Sequence, residues 1–244
     1  MATGSTVRET SFEAEARYLA VGYGARVALD TRAAWRAWSS YRGAAPATRA
    51  FLAARLAVAP LGAMEAELRS LRGRVLSLGS GHGLLDRYLA ELNPHVTVEG
   101  IELDVERVGL AQATRERSLR TSARVADVRA LEEVSAYDAV IAIDVLHHVP
   151  LADQEGVVAA LHRSLRPGAS CLVKDIATTP RWRYEWNRLH DRIVTGSEPV
   201  HCRSPQSMAE LLAGVGLQVQ DTRRVGGGGP YPHYLVVARR APSP

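Results

Sequence analysis

At 244 residues the chain has room for one α/β domain with an added helical segment, and two full domains would be a tight fit. Hydrophobic residues at 46% and charged residues at 23% are ordinary globular values, which excludes disordered, collagen-like and disulfide-scaffold classes. The net charge of +4 comes from scattered arginines, with Lys174 the one lysine, so an anionic partner is permitted but no basic stripe calls for nucleic acid.

Residues 1–17 mix Thr, Ser, Glu and Arg without an apolar run, and the most apolar helical stretch, Phe51 to Met64, is interrupted by Arg55 and Pro60. Neither a signal peptide nor a membrane span is expected. Cys171 and Cys202 have no metal-type spacing, which fits a reducing cytoplasm and argues against a metal site. Over residues 11–70 apolar positions recur at helical spacing, as in Leu52, Leu56 and Leu61 and then Met64, Leu68 and Leu71. Residues 1–70 therefore read as a helical cap, with Tyr18, Tyr23, Trp35, Trp38 and Tyr41 in its packing seams.

After Gly73 short apolar runs alternate with helical stretches, the pattern of βαβ units around a parallel sheet. Strands are predicted at Arg74–Leu78, Val96–Ile101, Ala123–Val125, Ala139–Ile143 and Ser170–Ile176, and helices at Leu84–Leu92, Val105–Leu119 and Ala152–Leu165. Arg166-Pro167-Gly168 closes the last of these helices with breaker residues. Pro180 to Val194 reads as a further helix within a 179–203 insertion, carrying Trp182, Trp186, Leu189 and Ile193 on one face. A helix at Ser204–Ala213 then leads to strands at Leu217–Arg223 and Tyr234–Arg239, joined through Gly226–Gly229 as an antiparallel hairpin.

Two signals carry chemistry. In Val75-Leu76-Ser77-Leu78-Gly79-Ser80-Gly81-His82-Gly83 an apolar strand runs into a Gly-x-Gly-x-Gly turn and a helix, letting backbone approach a ligand where a Cβ would clash. Some 20 residues on, at the end of the next strand, Gly100-Ile101-Glu102-Leu103-Asp104 offers a carboxylate suited to ribose hydroxyls. Glu102 is the candidate, and Asp104 is read as the cap of the following helix. The glycine spacing lacks the three-residue offset of the nicotinamide-dinucleotide fingerprint, which argues against a dehydrogenase.

Together with Ala126-Asp127-Val128, the segment Tyr137 to Val149 and Leu161 to Gly168, these motifs resemble the class I S-adenosylmethionine-dependent methyltransferases over residues 70–176. The resemblance implies a seven-stranded Rossmann-like, doubly wound α/β sheet with its last strand antiparallel, in a domain spanning residues 71–244. It also implies S-adenosyl-L-methionine as cofactor. Gly79, Ser80, Gly81 and Gly83 would lie beside its methionine part, Glu102 with Leu103 at the ribose, Asp127 with Val128 at the adenine, and Asp144 with Val145 over the methionine side. One position departs from the family pattern: Ser77 stands where an acid two residues before the first glycine usually helps hold the cofactor's amino end.

Methyl transfer from a sulfonium is an in-line displacement that needs orientation above all, with a base where the acceptor carries a proton. Candidates by place in the fold are His147 and His148 after the fourth strand, Lys174 and Asp175 near the end of the fifth, and His190 in the insertion. Trp182, Trp186, Tyr231 and His233 are the candidate acceptor contacts, and the bland alternative for both tryptophans is simple helix packing. The expected function is methylation of a small molecule in specialised metabolism, with a homodimer as the candidate assembly. A non-methylating reaction such as cyclisation, an RNA methyltransferase and a non-catalytic partner protein are the rivals.

Overall fold

The computed structural model describes residues 29–114, 120–132, 134–182, 184–186, 200–226 and 231–243. The first helix, α1 (Thr31–Ser39), is opened by Asp30, whose side chain accepts the Ala33 amide at 2.9 Å. Proline in the first turn starts α2 (Pro46–Val58), and after Ala59-Pro60 a 3-10 turn (Leu61–Met64) leads into α3 (Glu65–Ser70). The alternating part runs through β1 (Gly73–Leu78), α4 (Leu84–Leu92), β2 (Val96–Glu102), α5 (Val105–Ala113) and β3 (Thr121–Val125). A 3-10 turn (Val128–Ala130) precedes β4 (Tyr137–Ile143), and another (Leu146–His148) leads to α6 (Leu151–Ser164) and β5 (Leu165–Ile176). The chain ends in α7 (Pro205–Gly214), β6 (Leu217–Arg224) and β7 (His233–Arg240).

The seven strands form one sheet in the order β3-β2-β1-β4-β5-β7-β6, parallel except for β7, which is antiparallel to both neighbours. Strand alternation divides the core into two layers. Val75, Ala139, Ile141, Ile143 and Leu172 pack against α1 to α4, while Leu76, Leu78, Val140, Ala142, Cys171 and Val173 pack against α6 and α7. The same parity sends Lys174 to the first face and Asp175 to the second. Because the chain order reverses between β1 and β4, their carboxyl ends open a crevice, the place where such sheets take ligands.

The predicted strands are all present, each longer than expected by one or two residues except β5, which begins five residues early. β5 begins at Leu165, which pairs with Tyr137, so Arg166-Pro167-Gly168 lies inside the strand; Gly168 takes φ +76° there and the register shifts between Tyr137 and Ala139. Of the cap's aromatics, Tyr41 is buried, and Trp38 packs under the Arg49 guanidinium and donates to the Arg49 carbonyl at 3.1 Å. Trp35, placed in a seam by the sequence, is 64% exposed because it lies on the outer face of α1. Tyr18 and Tyr23 lie outside the described residues, as do Leu189, His190, Ile193 and Gly227 to Gly229. Among the described residues no helix is long and apolar enough to cross a membrane.

Candidate active site

A cavity of about 1280 Å³ runs across the carboxyl ends of β1, β2, β4 and β5, roofed on one side by α2. At its β1 end the glycine turn adopts left-handed backbone at all three glycines, with φ +58° at Gly79, +55° at Gly81 and +76° at Gly83. The reasons differ. A Cβ at Gly79 would stand 2.3 Å from Val145 Cγ2, whereas one at Gly81 would meet nothing within 4 Å, so Gly81 presents bare backbone to the cleft. The turn is tied from above by Tyr41, whose hydroxyl donates to the His82 carbonyl at 2.7 Å.

Glu102, at the end of β2, closes on this turn. Its Oε2 accepts the Gly81 amide at 2.8 Å, while Oε1 accepts the amides of Leu103 at 2.9 Å and Asp104 at 3.1 Å. Asp104 caps α5, taking the amides of Glu106 and Arg107, in agreement with the sequence reading. Asp127 lines the cavity with Val128, but its carboxylate is fixed by Arg129, through the backbone amide at 2.9 Å and Nη2 at 2.7 Å.

The β4–β5 end is crowded with ionisable groups. Asp144, in left-handed backbone with φ +55°, holds the Lys174 ammonium with one oxygen and Arg55 of α2 with the other, the latter at 3.0 Å. Burial alone would raise the Asp144 carboxyl, but the charges of Lys174 and Arg55 outweigh it and hold the group well below the carboxylate range. Fully buried Lys174 is lowered by loss of solvent and by Arg55, against the pull of Asp144. On the other face Asp175 binds His147 twice, accepting its amide at 3.1 Å and contacting its Nδ1. The adjacency of Lys174 and Asp175 in sequence thus conceals two separate pairs.

His148 packs on His147 with ring centroids 4.1 Å apart and reaches the cavity; desolvation and the neighbouring His147 lower its pKa to about 4. His233, at the start of β7, lines the same end beside Tyr231, with ring centroids 5.6 Å apart. It is buried, neither ring nitrogen has a hydrogen-bond partner among the described residues, and desolvation followed by the Lys174 charge keeps it neutral. Trp182 and Trp186 are 61% and 51% exposed and do not line the cavity.

Three residues of this site were missed by the sequence reading. Arg55 looked only like an interruption of an apolar stretch. Gln154 of α6 is completely buried and donates to the carbonyls of Leu146, Val149 and His201, fixing the turn that carries the His pair. Asp86 of α4 lies in the cavity wall beneath the glycine turn, and its one signal was a charge among Leu84, Leu85, Tyr88 and Leu89.

Comparison with known proteins agrees with this geometry. A family model for a methyltransferase domain matches residues 45–222. The ubiquinone biosynthesis O-methyltransferase of Xanthomonas axonopodis pv. citri is 32% identical over 173 residues, 65% of this chain and 68% of that protein. That of Xanthomonas oryzae pv. oryzae is 34% identical over 120 residues, and the chain spans about half of its length, 48%. A solved methyltransferase from Methanosarcina mazei superposes with a TM-score of 0.60 at 18% identity, over 73% of this chain and 97% of that one, a likeness of fold.

The cleft suits S-adenosylmethionine, the methyl donor of this family: bare backbone at Gly81, a fixed carboxylate at Glu102, and room beyond them for an acceptor. Sheet order, glycine turn, strand-end carboxylate and the family match over most of the chain agree, and the chain belongs to the class I S-adenosylmethionine-dependent methyltransferases.

Proposed function

We propose that the protein methylates a hydroxyl group of a small-molecule acceptor. The observation that carries this reading is the continuity of one cleft, from the Gly81–Glu102 contact at one end to the imidazoles of His147, His148 and His233 at the other. The activity named for the similar Xanthomonas proteins, O-methylation in ubiquinone biosynthesis, supports a hydroxyl as the acceptor.

In this reading Gly79, Gly81 and Glu102 hold the cofactor, with Asp127 and Val128 beside the base. Bound there, the cofactor supplies a methyl group made electrophilic by its sulfonium. His148, kept neutral, accepts the hydroxyl proton on a ring nitrogen. His147 is a positioning residue, fixed by Asp175 so that its ring backs that of His148. Tyr231 and His233 contact the acceptor, and α2 with Arg55 covers the site as part of the N-terminal cap.

The test is calorimetric titration with S-adenosylhomocysteine, followed by incubation with S-adenosylmethionine and a panel of phenols, amines and acidic carbon compounds. Binding, together with a mass gain of one methylene unit on a phenol, is expected. His148→Gln should lower turnover by about 10²-fold or more while leaving the product affinity within twofold. A folded sample that binds neither nucleoside, or that methylates only amines, defeats the reading.

A further inference from the structure

Asp86 has no part in the methyl transfer itself, and its surroundings are unusual. It projects from α4 toward β1 and β2, is 2% exposed, and neither of its carboxylate oxygens has a hydrogen-bond partner among the described residues. The Ser80 hydroxyl beside it is also unsatisfied. Gly100 makes the space for both: a Cβ there would stand 2.4 Å from Asp86 Oδ2 and 2.6 Å from Ser80 Oγ. Ser77, in register with Gly100 on the same face of the sheet, approaches the carboxylate without closing a hydrogen bond of normal geometry. Ser77, Ser80 and Asp86 all belong to the cavity wall beside Gly79 and Gly81.

A buried carboxylate without partners is an unfavourable arrangement, and three orphaned polar atoms at one point of a ligand cleft call for a donor that the protein does not supply. The charged and titratable groups facing Asp86 are Arg87 and Tyr41. Both are engaged elsewhere, Arg87 with the Thr114 carbonyl at 2.6 Å and its hydroxyl at 2.9 Å, Tyr41 with the His82 carbonyl. A donor entering from the cleft finds the serine hydroxyls beside the carboxylate, and these can relay hydrogen bonds to it.

We propose that Asp86, acting through the hydroxyls of Ser77 and Ser80, supplies the negative charge that positions the ammonium end of the cofactor's amino-acid moiety. The carboxylate that the family pattern puts at position 77 is in this chain carried nine residues later, on the helix instead of the strand. Asp86 is a positioning residue, and the inference rests on the cleft being a cofactor site. Burial raises its pKa to about 7, so an arriving ammonium draws the proton off, and affinity rises with pH through that value.

The experiment compares S-adenosylhomocysteine with 5′-methylthioadenosine, which has the nucleoside and sulfur but no amino-acid end. Wild-type affinity for the first should weaken by up to about tenfold per pH unit below pH 7, while that for the second stays level. Asp86→Asn should bind S-adenosylhomocysteine about tenfold or more weakly, lose the pH dependence, and bind 5′-methylthioadenosine unchanged. The double variant Ser77→Asp with Asp86→Ala should recover the affinity, and it also serves if Asp86→Asn does not fold. Equal loss for both ligands, or a pH profile in the wild type that is the same for both, overturns the assignment. A folded wild type that binds neither ligand overturns the cofactor reading itself, a distinct result.

Discussion

Glu102 already accepts three backbone amides, which leaves one lone-pair direction, on Oε2, for a ribose hydroxyl. Glu102→Gln must therefore turn its NH2 group toward one set of amide donors, and it loses either the tie to Gly81 or the contacts to Leu103 and Asp104. Affinity for S-adenosylhomocysteine should fall by about 10- to 100-fold, or about 1.4–2.8 kcal/mol, in calorimetry. Unchanged binding would remove Glu102 from the ribose. The glycines allow a finer comparison, since Gly79 and Gly81 share left-handed backbone but not surroundings. Gly79→Ala drives a methyl into Val145 and should cost about 2–4 kcal/mol of stability, from overpacking added to backbone strain. Gly81→Ala carries the strain alone, about 1–2 kcal/mol, and its methyl stands in open cleft. Chemical denaturation should rank Gly79→Ala well below Gly81→Ala, while Gly81→Ala still loses ligand affinity. The reverse ranking would mean that the turn does not pack on Val145 as described.

Between elements, the Asp144 cluster couples α2, the end of β4 and β5 through one carboxylate and two cations. Asn tolerates left-handed backbone, so Asp144→Asn isolates the charge. It leaves fully buried Lys174 without its counter-charge and should destabilise by about 3–5 kcal/mol. Lys174→Met leaves Asp144 with Arg55 and should cost less, and Arg55→Ala, at a side chain 36% exposed, about 1 kcal/mol or less. Denaturation midpoints test this order, and a larger loss for Arg55→Ala than for Asp144→Asn refutes the cluster. This coupling also marks the limit of what the sequence discloses. The helix at Leu84–Leu92, the glycine turn and the carboxylate at Glu102 are written locally, in apolar spacing, breaker residues and strand-to-helix order. Strand parity could have separated Lys174 from Asp175, but their partners lie 30 and 28 residues away and follow only from the sheet order. Arg55 on Asp144 and Ser77 beside Asp86 depend likewise on which helix covers which strand end, so composition and spacing carried no trace of them. The start of β5 eluded the local rules for the same reason, because pairing with Tyr137 overrides the breaker residues.

Across the whole molecule, the buried titratable groups pull stability in opposite directions with pH. His148 and His233 have lowered pKa values in the fold, so the unfolded chain takes up protons first; their stabilisation is complete above about pH 6.5 and is lost as pH falls below it. Asp86 acts in the other sense. Its pKa is raised from 3.8 to about 7, so the unfolded chain releases the proton first, and stability declines from about pH 4 to about pH 7 and is level above. Asp86→Asn removes the second slope. Its advantage over the wild type should be near zero at pH 3, about 1 kcal/mol at pH 4.5 and largest at pH 8, with a ceiling of about 4 kcal/mol at 1.36 kcal/mol per pKa unit. Part of that is offset by the amide donors, which the site must then satisfy. In melting temperature each kcal/mol is worth about 2–4 °C for a chain of this size. Saturating S-adenosylhomocysteine should close the gap at pH 8, because binding adds most stability where the wild-type carboxylate is charged and gains its ammonium partner. A gap that is the same at every pH would mean that Asp86 does not titrate in the fold. A gap that S-adenosylhomocysteine leaves untouched would mean that the carboxylate destabilises the protein without serving the ligand.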